Sequence, residues 1–186
     1  MSGDGKVRCS WCLSDSLYID YHDNEWGVKV VDAEKLFEML SLEMMQAGLS
    51  WITILRKRDT MRKAFFGFKP SRLARAKEKE VDKWLNNKGV IRHRGKLEAL
   101  INNAKHFELE ENFSDLLWSF EPLKENIKGV VPTFTEESTA MSKMLKKKGF
   151  KFTGPTTCYA FMQSCGMVND HDPTCWKYDL SPIKTL

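Results

Sequence analysis

Residues 42–51 read LEMMQAGLSW, an apolar run that carries one carboxylate, Glu43. At roughly 3.6 residues per turn, Leu36, Leu40, Glu43 and Ala47 share a stripe, with Glu43 about 20° from Leu36 around the helix axis. A carboxylate on that stripe faces the core side. Buried without a partner it is strongly destabilising, so it requires a partner, a cavity or a raised pKa, unless it snorkels to water from the stripe's edge. Trp11, Tyr18, Tyr21, Trp26 and Trp51 bracket this helix in the sequence. Flat aromatic walls around a carboxylate form a slot for a planar heterocycle whose ring N–H groups donate to the acid. The same aromatics serve equally well as ordinary core.

A second constellation has metal-ligand chemistry. His171-Asp-Pro-Thr-Cys175 gives an H-x3-C spacing, and Cys9, Cys12 and His22 stand near the other end of the chain. Two Cys and two His suit a tetrahedral structural zinc that clamps the ends together and adds its binding free energy to folding. Spacing leaves the N-terminal pair open, because Cys9-x2-Cys12 is also a good half-site; buried thiols and a satisfied histidine account for the same residues without metal. A third pattern, residues 145–157, reads as a helix, a tight turn with Gly149 and Gly154 at its ends, and a helix opening at Pro155 or Thr156. In such a hairpin, turn amides and the second helix's N-terminus face a phosphate, and lysines supply nearby charge.

The elements that must position these groups read as helical. The chain has 186 residues, 42% hydrophobic, enough for one domain with a sizeable core. Strand signals are scarce; Gly27–Val31 alternates but is short enough to be a loop. Asp32 caps a helix over 33–47, with Glu34 in its first turn and Gly48 as a stop. Ser50 or Trp51 to Phe66 follows, closed by Gly67 and Pro70. Ser71 caps 72–87, ended by Gly89, and 95–111 continues in the same style. A short helix at 113–120, a loop at 122–135, and helices at 136–148 and 156–165 complete the reading. The expectation is one all-α domain over 1–186.

Charge and cysteine usage narrow the class. The 29 Lys+Arg against 25 Asp+Glu give +4, with basic clusters at residues 72–96 and at Lys143, Lys146, Lys147, Lys148 and Lys151. A polyanion fits such a surface, although the first cluster has interleaved acids and reads equally as a solvated face. An odd count of five cysteines argues against a disulfide framework. No apolar run approaches the roughly 18 residues of a membrane span, and the N-terminus lacks a signal-peptide core, so a soluble cytoplasmic protein without membrane contact is expected.

Taken together, Tyr21-His-Asp-Asn-Glu-Trp-Gly27, Gln46-Ala-Gly-Leu-Ser-Trp51, Ile91-Arg-His-Arg-Gly-Lys96, Gly149-Phe-Lys-Phe152 and Val168-Asn-Asp-His171 resemble the bacterial 3-methyladenine DNA glycosylase I family. The similarity runs in the same order from about Arg8 to Cys175. It implies a helix-hairpin-helix DNA glycosylase-like fold, with the hairpin element at about 138–165 and one structural zinc joining residues 9–22 to 171–175. The family's ligands map onto Cys9, His22, His171 and Cys175, which leaves Cys12 a bystander. Its base pocket maps onto Glu43, as the catalytic acid, with Tyr21, Trp26 and Trp51. Gln46, Gly48 and Leu49, with Lys151, Gly154 and Thr156 of the hairpin, fall on the DNA side, Gly48-Leu49 entering the gap left by the extruded nucleotide.

The implied activity is monofunctional hydrolysis of the N-glycosidic bond of 3-methyladenine in double-stranded alkylated DNA, releasing the free base, by a monomer in the bacterial cytosol. A relative that binds lesions without excising them is the alternative. Two departures stand out. Many helix-hairpin-helix glycosylases begin a V-D-x-H stretch with an essential Asp, and Asn169 occupies that place here. Met44-Met45 sits where smaller or polar residues are expected, and bulky side chains there would narrow the pocket. For the metal, the expected outcome is one zinc per chain by elemental analysis, reduced by His22→Ala and retained in Cys12→Ser; the reverse pattern would refute the ligand assignment.

Overall fold

The computed structural model describes residues 5–124 and 129–180, and the expected domain bounds at 1 and 186, with residues 125–128 of the expected loop, lie outside them. Among the described residues the chain is helical, with no strand. The helices are α1 (Ser16–Asn24), α2 (Ala33–Gln46), α3 (Trp51–Ala64), α4 (Pro70–Leu73), α5 (Glu78–Leu85), α6 (Arg94–Phe107), α7 (Phe113–Trp118), α8 (Glu136–Lys147) and α9 (Pro155–Ser164). Short 3-10 turns occupy Ser10–Cys12, Phe66–Phe68 and Tyr178–Leu180. No described helix is long and apolar enough to cross a membrane.

Helix α2 is the axle. Leu36, Phe37, Leu40, Leu42, Met44 and Met45 are all buried, and the helix touches α3, α6, α7 and α9. Each such side chain contributes about 1.5–3 kcal/mol on burial, which outweighs the modest propensity of any one residue. Asp32 caps α2 as expected, its carboxylate accepting from the Lys35 N–H at 2.7 Å. At the other end the buried Lys96 ammonium donates to the carbonyls of Met45 (2.9 Å) and Ala47 (2.6 Å). Lys96 therefore leaves the basic surface cluster and becomes a helix cap.

Two elements differ from the sequence reading. Helix α1 was not anticipated: SLYIDYHDN has a weak apolar stripe, and its cue is Asp15, whose side chain accepts from the Leu17 N–H at 2.8 Å. The helix expected over 72–87 under a Ser71 cap is instead two pieces. Pro70 takes the first position of α4, where its fixed φ is favourable. The Glu80 carboxylate then captures the Lys77 N–H at 2.8 Å, so a new helix begins at Glu78 instead of the old one continuing. The remaining helices fall within a few residues of expectation.

Helices α8 and α9 pack on each other and join through residues 148–154. The Thr135 and Ser138 side chains satisfy each other's backbone N–H at the start of α8. Helix α6 holds the turn: Asn102 donates to the Gly149 carbonyl at 2.8 Å, while Asn103 accepts from Lys151 N–H (2.8 Å) and donates to its carbonyl (3.0 Å). Gly149 has φ +90°, and a Cβ there would sit 2.5 Å from the His106 ring. Gly149→Ala is expected to destabilise the protein by about 2 kcal/mol or more, from left-handed strain plus the clash, measured by urea unfolding against wild type; an unchanged midpoint would contradict this.

Candidate active site

A cavity of about 250 Å³ opens between α1, α2, α3 and α9. Trp11, Tyr18, Tyr21, Trp26 and Trp51 form its walls, Glu43 and Gln46 reach it from α2, and Ala160, Gln163 and Asp170 close the opposite side. The aromatics meet mainly edge to face: Trp11 stands 5.6 Å from Tyr18 and 5.1 Å from Trp26, and Tyr21 lies 5.3 Å from Trp51. The Tyr18 hydroxyl accepts from the Ile52 N–H at 2.9 Å, which pins the start of α3 and with it Trp51. Arg58 grips Glu25 with two bonds of 2.7 Å and ties α3 to the end of α1. The Trp51 indole nitrogen is buried without an acceptor among the described residues.

Glu43 is only 6% exposed. Burial pushes its carboxyl up to about 8, opposed only by a hydrogen bond from Ser164. Burial, reinforced by the charge of Glu43, holds the Tyr21 phenol well above its ordinary range, so its O–H stays a donor. A second cavity of about 190 Å³ lies against the same three residues, Tyr21, Glu43 and Trp51. Arg58 and Arg62 line it, but they are engaged with Glu25 and, at 2.6 Å, with Glu38. The pocket thus presents a buried acid held in its neutral form by burial, with no ion-pair partner among the described residues.

Beside this cavity the two ends of the chain meet. Cys9, His22, His171 and Cys175 are all buried, and their ligand atoms lie within 4.8 Å of one another. Cys9 Sγ is 3.5 Å from His171 Nδ1, and Cys175 Sγ is 3.4 Å from His22 Nε2. The donor set fits a metal. His22 Nδ1 bonds Asp23 at 2.8 Å, leaving Nε2 for an ion, and Asp172 and Lys177 N–H groups point at the two sulfurs (3.2 and 3.5 Å), as thiolates require. Burial pulls His171 down to about 3, which keeps the imidazole neutral, and pushes Cys9 up to about 12, which a cation would reverse. Gly27 (φ +74°) makes room, since a Cβ there would stand 2.9 Å from His171 Nε2. Cys12 is outside the quartet, its thiol on the Cys9 carbonyl at 3.1 Å.

Residues 11–178 match the sequence pattern of the methyladenine glycosylase family. The chain belongs to this family. It is 49% identical over 180 residues to DNA-3-methyladenine glycosylase 1 of Escherichia coli, covering 92% of this chain and 96% of that protein. A crystal structure of 3-methyladenine DNA glycosylase I superposes with a TM-score of 0.87 at 50% identity, over 91% of this chain and 98% of the other. The 3-methyladenine DNA glycosylase I of Staphylococcus aureus, whose structure addresses recognition of 3-methyladenine, gives 0.86 at 33% identity, over 96% and 98%.

In this methyladenine glycosylase the structure brings Tyr21, Trp26, Glu43 and Trp51 to one cavity, and adds Gln46 to it. Leu49 is 42% exposed, and Gly48 beside it is exposed on the same turn. Lys151 and Thr156 are exposed and Gly154 half-buried, on the hairpin. Met44 and Met45 do not narrow the pocket: both are fully buried in the core, Met44 Sδ against Asn103. Asn169 does not line the cavity. Its side chain donates to the Tyr178 carbonyl at 2.9 Å and accepts from the His171 N–H at 3.3 Å, bracing the metal-cluster loop. Besides Glu43, the carboxylate that lines the cavity is Asp170, held by Tyr159 and by Gln163 at 2.8 Å. It stands in the Val168-Asn-Asp-His171 stretch, next to the Asn169 that the sequence reading singled out. In the second basic cluster, Lys148 is spent on Glu110 at 2.8 Å. In the first, Arg94 pairs with Asp82.

Because the Glu43 carboxyl titrates at about 8 in the fold and near its ordinary value of 4.5 when unfolded, the folded state binds the extra proton between those values. Stability therefore falls as pH rises from about 4.5 to 8 and levels off above. In urea titrations at pH 5, 6.5 and 8, Glu43→Gln is expected to gain on wild type by up to about 1.4 kcal/mol per pH unit; parallel curves would show that Glu43 is not buried as described.

Proposed function

We propose that this chain is a monofunctional DNA glycosylase that hydrolyses the N-glycosidic bond of 3-methyladenine in alkylated double-stranded DNA. The observation that carries the reading is Glu43, an acid without countercharge at the junction of aromatic walls, in a member of the methyladenine glycosylase family. An adenine methylated at N3 in DNA is a cation with a weakened bond to its sugar. Entering the slot, it stacks on Trp26 or Trp51 and supplies the charge that ionised Glu43 lacks. Neutral adenine offers no such compensation, so the pocket selects by charge as well as shape.

The reaction asks little acid catalysis of the protein. As the C1′–N9 bond breaks, its electron pair neutralises the base; water adds hydroxide to C1′ and its proton is released. Glu43 and the Tyr21 hydroxyl read the adenine edge, the aromatic walls exclude bulk water, and Asp170 at the cavity wall adds a second negative group toward the oxocarbenium-like state. Among the described residues no lysine lines the cavity as a Schiff-base nucleophile, and the reading is of base release without strand cleavage.

The wider assignments follow from this reading. Residues 1–186 act as one domain and as a monomer in the bacterial cytosol. Helices α8 and α9 form a helix-hairpin-helix element at about 138–165 that seats a phosphate through Lys151, Gly154 and Thr156. Gly48-Leu49, exposed beside the cavity and backed by the Lys96 cap, fills the space of the extruded nucleotide. Cys9, His22, His171 and Cys175 hold one zinc, which when bound closes the two ends of the chain and takes no part in the chemistry. In an assay on methylated duplex DNA, the purified protein is expected to release 3-methyladenine and leave abasic sites uncut. Glu43→Gln should lower turnover about 100-fold or more. Absence of base release would favour a lesion binder instead.

A further inference from the structure

Lys177 lies two residues beyond Cys175 and is only 9% exposed. Its ammonium is directed at the end of α1, donating to the carbonyls of His22 at 3.1 Å, Asp23 at 3.2 Å and Trp26 at 3.1 Å. An ammonium has three N–H bonds, and three acceptors surround this one. Burial lowers its affinity for the proton, and the Asp23 carboxylate opposes that effect. The carbonyls of His22 and Asp23 belong to the last turn of a helix, where they have no partner within the helix and where the macrodipole favours a cation.

The segment so held carries two walls of the cavity. Tyr21 and Trp26 both line it, and the N–H groups of Glu25 and Trp26 both fold back onto the Tyr21 carbonyl at 2.9 Å. The Cys/His cluster touches this segment through the His22 ring and through His171, which packs on the Trp26 indole and bonds the Trp26 backbone, whereas Lys177 binds the backbone at three points. Movement of the Trp26 carbonyl would carry the indole with it, against Trp11 at 5.1 Å and His171 at 4.6 Å.

We propose that Lys177 is a positioning residue for recognition of the methylated base: by binding three carbonyls at the end of α1 it fixes Tyr21 and Trp26, and so sets the width of the aromatic slot. This rests on the reading of that slot as the base site.

The test compares wild type with Lys177→Met and Lys177→Arg, both labelled with 5-fluorotryptophan, with the Trp26 and Trp84 resonances assigned by substitution. Trp84 lies in α5, bonded to the Ala64 carbonyl, and reports on the remainder of the fold. In Lys177→Met the Trp26 signal is expected to shift or broaden while Trp84 and metal content stay as in wild type. Affinity for free 3-methyladenine should weaken about tenfold, the loss of a charged hydrogen-bond set, with KM for methylated DNA rising more than kcat falls. Lys177→Arg, whose guanidinium also serves several carbonyls, should restore most of both. Trp26 and base affinity unchanged in Lys177→Met would overturn the proposal, as would Trp26 and Trp84 changing together or loss of the metal, since Lys177 would then serve general stability. Should Lys177→Met not fold, Lys177→Gln is read by the same criteria. If wild type itself fails to bind the free base, the base-site reading falls, while the Trp26 signal still judges whether Lys177 positions the wall.

Discussion

The burial of the Glu43 carboxylate is the constraint on which the site depends. It sits on a helix surrounded by protein on nearly every side, with no ion-pair partner among the described residues, and burial pushes its carboxyl up to about 8. Cations are close at hand, yet each has other work. Arg58 and Arg62 are engaged with Glu25 and Glu38, while Lys96 and Lys177 bind backbone carbonyls. A pocket that keeps its own positive charges tied up in this way is complementary to a positively charged ligand. On the proposed reading of the slot as the base site, charge is a sounder basis for selecting an alkylated purine than shape alone, because methyl groups by themselves discriminate by only about 1–3 kcal/mol.

The rest of the fold holds the walls around that acid. Tyr18 and Arg58 anchor α3 to α1, the Cys9–His22–His171–Cys175 cluster and Lys177 anchor the C-terminal segment to α1, and Lys96 anchors the end of α2 to α6. The two buried lysines use the same device at two helix ends: an ammonium satisfies carbonyls that a C-terminus leaves open. Asparagines of α6 grip the α8–α9 hairpin in the same fashion. The turn that carries Leu49, the hairpin that carries Lys151 and the aromatic slot are therefore referred to one frame, through α6 and α2.

Several local signals that act within one turn of chain were legible, although the Asp15 cap of α1 was missed. Asp32 as a cap and Gly48 as a stop could be read from residue type, because each depends on backbone geometry a few residues away. The inward direction of Glu43 followed from period alone. Where two local signals compete, the reading failed: good helix formers at 72–77 yielded to Pro70 and the Glu80 side chain. Met44 and Met45 looked like pocket residues beside Glu43, but successive residues are about 100° apart on a helix, and that angle turns them into the core.

The sequence by itself determined the helical class, the buried face of α2, the chemistry of the metal ligands and, through its resemblance, the family. Only the tertiary structure decided that Cys9 and Cys175 meet, that Asn169 braces a loop while Asp170 enters the cavity, that Lys96 caps a helix instead of facing a polyanion, and that Lys177 binds carbonyls at the end of α1. The physical reason is range. Helix periodicity and capping are set by neighbours along the chain, whereas the partner of a long side chain, and the solvation that shifts a carboxyl, depend on separate segments being packed together, 49 residues away for Lys96 and 155 for Lys177.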